Sequence, residues 1–113
     1  MKKPQNIAMP SSLSPMLKML GERIARMRKA RSLLQGEVSV RANISRDTAS
    51  RIENGDASVS IGQVVRYLNV IAPGVDLGRL YETPDAALSM MESTEKRQRS
   101  RKLSLTAQNK YDF

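Results

Sequence analysis

Between Gln35 and Gly55 the chain reads QGEVSVRANISRDTASRIENG, and this stretch restricts the fold more than any other. It has the form of one short helix, a tight bend and a second helix. Val38, Ala42, Ile44, Ala49 and Ile52 recur where two short helices must touch each other and a preceding one. Ser39 is small at the point where the pair crosses, which lets the backbones approach. Asn43 stands at the bend, where a left-handed residue is often needed and Asn is the most tolerant after Gly. Ser45 precedes the second helix, where its hydroxyl can accept from the amide of Thr48, and Asn54-Gly55 supplies a left-handed stop.

The remaining segments supply partners for that pair. Apolar Met16, Leu17, Leu20, Ile24 and Met27 follow helical spacing to about Arg31, and Pro15 suits a first helical position. Ile61, Val64, Val65, Leu68 and Ile71 form one stripe of a later helix, capped by Ser60 and stopped by Pro73-Gly74. Asp76 can cap a short fifth helix through Tyr81 that buries Leu77 and Leu80. There is no alternating strand pattern and no internal repeat. The spacing predicts an all-α fold, with a compact five-helix domain over residues 15–82. A flexible arm over 1–14 precedes it, since Pro4, Pro10, Ser11 and Ser12 show no periodicity. A C-terminal helix and basic tail, partly disordered, occupy 83–113. The helix there should run from about Pro84 to Lys96, with Met90 and Met91 as gap-filling contacts or a partner groove.

The chain carries 19 Lys and Arg against 11 Asp and Glu, a net charge of +8, which favours a polyanionic partner such as DNA, RNA or an acidic membrane. The charge is uneven: residues 13–55 are net basic, 56–95 net acidic and 96–113 net basic. The absence of Cys and His excludes disulfides, thiolate chemistry, Cys or His metal sites and imidazole acid-base catalysis. The carboxylates form no paired constellation, and no Gly-rich loop resembles a phosphate cradle. A non-enzyme is expected, with no catalytic residue, metal or cofactor. No apolar run approaches the roughly 20 residues of a membrane span, and the N-terminal segment lacks a signal-peptide core. No membrane partner and a cytoplasmic, nucleoid-associated location are therefore expected.

The second helix of the pair has two faces. Ala49 and Ile52 point inward, while Arg46 with Ser50 and Asp47 with Arg51 form outward i, i+4 pairs. Arg46 can place two donors on guanine O6 and N7, Asp47 can accept from cytosine N4, and Ser45 or Ser50 can bond bases or phosphate. The bland alternative is a solvated face with an Asp47–Arg51 ion pair.

The segment LGERIARMRKARSLLQGEVSVRANISRDTASRIENG resembles the Xre/Cro-type helix-turn-helix family of bacterial and phage repressors, over residues 20–81 at most. Gln35, small Ser39, Ile44-Ser45 and the ending Arg51-Ile52-Glu53-Asn54-Gly55 carry the likeness. It implies a lambda-repressor-like fold, a phosphate contact by Gln35 helped by the helix N-terminus, and a structural pair between Arg28 and Glu53. Arg28 as part of the basic surface is the alternative. The chain departs from the pattern at Leu34, where the family usually places Thr or Ser, so the first helix of the pair lacks its usual cap.

A narrower likeness follows the motif. Gly55, Asp56, Val59, Ser60 and Gly62 before an apolar helix, then Asp76, Leu77 and Leu80, then Pro84-Asp85 and a basic tail, are similar to the HipB-like regulators encoded beside HipA-like kinase toxins. This likeness implies the antitoxin of a type II toxin-antitoxin module: a homodimeric transcriptional repressor of its own operon, binding a palindromic double-stranded DNA operator and docking a HipA-like kinase toxin. A stand-alone phage- or plasmid-type repressor without a toxin, and a protein-binding adaptor, stand as alternatives. One motif reads only a few base pairs, so a dimer is expected. Its seam draws on Val65, Leu68, Val70, Ile71, Leu77, Leu80 and Tyr81, although Val65 and Leu68 suit the monomer core better. The run Lys96, Arg97, Arg99, Arg101 and Lys102 can grip phosphate, meet an acidic partner or stay solvated.

Overall fold

Three successive helices end on residues with left-handed backbones, and this punctuation sets the path of the chain. The computed structural model describes residues 9–82 and 84–111, with side chains placed through Leu103. Most of the expected N-terminal arm, residues 1–8, lies outside the described residues. Helix α1 spans Ser14–Ala30, α2 Gln35–Arg41 and α3 Arg46–Glu53. Behind them Ser32, Asn43 and Gly55 take φ values of 56°, 57° and 71°. In each case the next residue's amide reaches back into the last turn: Leu33 N to Arg28 O at 3.2 Å, Ile44 N to Ser39 O at 3.0 Å and Asp56 N to Arg51 O at 3.0 Å. These bonds satisfy carbonyls that a helix end leaves unpaired.

Helix α4 spans Ile61–Ile71, a single turn of 3-10 helix covers Leu77–Arg79, and α5 runs over Ala86–Tyr111. No strand occurs among the described residues, and the fold is an all-α helix-turn-helix domain. The starts are capped by side chains. Ser45 Oγ accepts from Thr48 N at 3.0 Å, and Ser60 and Gln63 exchange hydrogen bonds across the first turn of α4. At α2 the expected gap is real, because Leu34 offers no acceptor. The Glu37 carboxylate instead accepts from Leu34 N at 3.1 Å, which satisfies the amide one position earlier.

Ile24 and Met27 from α1, Val38 from α2, Ala49 and Ile52 from α3, and Tyr67, Leu68 and Ile71 from α4 are buried together as the core. Ser39, also buried, donates to Gly36 O at 2.8 Å. Gly21 is where α1 meets the end of α3. A Cβ there would stand 2.6 Å from Ile52 O and 2.7 Å from Glu53 O, so only glycine permits this approach.

Several expectations are corrected. Met16, Ile61 and Val65 belong to the apolar stripes yet are exposed, Val65 by 45%. The inward side of α4 is Val64, Tyr67, Leu68 and Ile71, and Val65 lies about 100° round from Val64. The short helix after Asp76 is only the 3-10 turn, where Asp76 caps Gly78 N at 2.9 Å; Leu80 is buried and Leu77 only half-buried.

The chain divides into two units, Met1–Thr83 and Pro84–Phe113. The second is α5, which begins with Asp85 Oδ1 accepting from Leu88 N at 2.9 Å. It does not end near Lys96 but continues to Tyr111. No Gly or Pro follows Pro84, and Glu, Lys, Arg, Gln and Leu are good helix formers.

Candidate nucleic-acid interface

Helix α3 presents its polar residues outward because Ala49 and Ile52 are held in the core. Arg46 and Asp47 occupy its first turn and are exposed; Ser50 is half-buried and Arg51 exposed. Arg51 Nε lies 3.1 Å from Asp47 Oδ2, with the two side chains 53% and 72% exposed, so the pair contributes a few tenths of a kcal/mol and is readily traded for other partners. The exposed Ser45 hydroxyl caps Thr48 N and lies 2.8 Å from Thr48 Oγ1, which leaves it room for one further hydrogen bond. Asn54 Nδ2 donates weakly to Ser50 Oγ at 3.4 Å. Arg46 is thus the first-turn cation on this face, flanked by Asp47 and the capping Ser45.

Gln35 is the first residue of α2 and is half-buried. Behind it lies a polar cluster. Arg28 Nε donates to Glu53 Oε2 at 2.7 Å and Arg28 Nη2 to Oε1 at 2.9 Å, a two-pronged pair with side chains only 12% and 8% exposed. Arg28 Nη1 also donates to Leu33 O at 2.8 Å, fixing the turn that leads into α2. The Tyr67 hydroxyl donates to Glu53 Oε2. Burial pushes the Glu53 carboxyl up, but hydrogen bonds from Arg28, Tyr67 and Gln35 outweigh it and leave the group below the usual range. Burial, then the bond to Glu53, raises the Tyr67 hydroxyl above the ordinary tyrosine value.

Tyr67 is the residue that sequence reasoning missed. An aromatic ring within an apolar stripe reads as core filling, and its acceptor is fourteen residues away. Arg23 was equally silent: it donates to Leu80 O at 3.1 Å and lies 4.8 Å from the centroid of the Tyr81 ring, which fastens the 3-10 turn to α1.

Lys96, Arg97, Arg99, Arg101 and Lys102 are all exposed on α5. At about 100° per residue they encircle the helix rather than share one face. Among the described residues no group of three or more acidic side chains could hold a metal ion, and no helix is long and apolar enough to cross a membrane.

The sequence model of a family described as a helix-turn-helix domain matches residues 19–91. No curated protein matches the chain, and no solved structure does.

Proposed function

The chain belongs to the helix-turn-helix domain family, whose members are DNA-binding regulators, and from that premise we propose that it is a sequence-specific transcriptional repressor reading its operator through α3. The observation that carries the reading is the outward face of α3, where Arg46, Asp47, Ser50 and Arg51 lie away from the buried Ala49 and Ile52. Arg46 serves as the main base reader, donating to guanine O6 and N7. Asp47 and Arg51 exchange their mutual ion pair for a cytosine amine and a phosphate. Ser45 and Ser50 add hydroxyl contacts, and Gln35 binds a phosphate from the start of α2. Two copies on a palindrome multiply these contacts.

The narrower reading is an antitoxin that represses its own operon and docks a kinase-fold toxin. The segment from Gly55 to the basic run supports it by its likeness to HipB-like regulators. Co-purification of a kinase-sized neighbour from the native operon is the expected result; a chain that binds its operator but captures no such protein is a stand-alone repressor. For DNA reading itself, Arg46→Ala should cut discrimination between operator and scrambled duplex by about 1–3 kcal/mol while leaving the fold intact. Unchanged discrimination overturns the assignment of Arg46.

A further inference from the structure

One carboxylate joins all four helices of the N-terminal unit. Glu53 ends α3, Arg28 grips it from α1 and Tyr67 donates to it from α4, while Gln35 at the start of α2 is near enough to help hold its carboxyl down. Tyr67 is the one polar side chain among the buried residues of α4, and it is fully buried. Phenylalanine would fill that volume with no donor to satisfy, whereas a buried hydroxyl left unpaired is destabilising. The hydroxyl therefore specifies a geometry: it is satisfied only when the end of α3 lies against α4 at one distance and angle.

That geometry bears on reading. Helix α3 is eight residues long, so Arg46 at its start stands roughly 10 Å along the axis from Glu53. Small swings at the Glu53 end displace the outward side chains, and a base hydrogen bond weakens steeply once its distance or angle leaves the normal range. We propose that Tyr67 is a positioning residue for base reading: through Glu53 its hydroxyl fixes the direction of α3, and so sets the discrimination between duplexes, without touching DNA. The inference rests on the DNA reading proposed above.

The test uses the full chain and two probes, a duplex enriched by the unmodified protein from a randomised pool and a scrambled duplex of the same composition. Tyr67→Phe removes one oxygen and keeps the ring. Binding is measured at 10 °C, where circular dichroism verifies that both chains are folded. The ratio of affinities for the two duplexes is expected to fall about tenfold, with affinity for the scrambled duplex unchanged within about twofold. The loss should shrink when Arg46 is already alanine, because Tyr67 acts through the residues α3 presents. A purely structural hydroxyl lowers the melting midpoint and leaves the ratio unmoved, and that outcome overturns the inference while the DNA reading stands. Should the unmodified protein enrich no sequence from the pool, the DNA reading itself fails and takes the inference with it.

Discussion

Ser32 holds a left-handed backbone, φ 56°, at a position where its counterparts behind α2 and α3 are Asn43 and Gly55. A serine Cβ makes this conformation costly, and glycine does not suffer the penalty. Ser32→Gly should raise stability by about 1 kcal/mol, which for a domain of this size is about 4–8 °C in the melting midpoint. A lowered midpoint in a calorimetric scan would contradict this account. A second residue-level consequence concerns Glu53. Its folded-state pKa lies below its unfolded one, so its contribution is fully present above the ordinary glutamate value of about 4.3 and is lost as pH falls through the folded value. Urea midpoints measured from pH 6 to pH 3 should therefore fall more for the unmodified chain than for Glu53→Gln, with the two converging at the acid end. Removing the other partner, by Arg28→Met, leaves a nearly buried carboxylate without its counter-charge and should cost about 3 kcal/mol at neutral pH.

At the scale of elements, α5 joins an uninterrupted helix to a run of five cations. Their angular spread lets one straight duplex meet only those on one side: Arg97 and Arg101 lie within about 40° of each other, while Arg99 and Lys102 point elsewhere. If phosphate is their partner, reversing to Glu the pair on the side that meets the duplex, Arg97 with Arg101 or Arg99 with Lys102, should reduce the slope of log K against log salt by about 1.8, and reversing the other pair by much less. Titrations between 50 and 200 mM salt distinguish the pairs, and equal effects from both would rule out docking along one side of α5. The length of this helix was hidden from sequence reading because the tail has no apolar stripe to extend the pattern past Lys96. The α2–α3 pair was readable for the opposite reason: Val38, Ala49 and Ile52 repeat at helical spacing, Ser45 caps and Gly55 stops. The same spacing located the outward set on α3, including the juxtaposition of Asp47 and Arg51. It could not locate what braces that set. Tyr67 looks apolar, Arg23 looks like surface charge, and Ser32 has no left-handed signature. Their roles depend on partners brought in by tertiary packing.

At the scale of the whole molecule, the proposed reading of a palindrome by two copies meets a limit set by burial, which narrows where a second copy can attach. Leu68, Ile71 and Leu80 are consumed by the monomer core, with exposures of 2%, 2% and 4%. Val65 and Tyr81 are the exposed members of the apolar set from which a seam was expected, and Val65 reversed its expected place by facing out. A dimer through α4 must therefore use Val65, with Ile61 one turn earlier on the same helix as an additional apolar contact. Val65→Glu places two like charges near the two-fold axis of such a seam while sparing the core. Sedimentation velocity at micromolar concentration should show the unmodified chain as a dimer and Val65→Glu as a folded monomer. Affinity for a palindromic duplex should then fall by at least tenfold, while affinity for a single half-site stays the same, because α3 is untouched. A Val65→Glu chain that remains dimeric removes α4 from the seam.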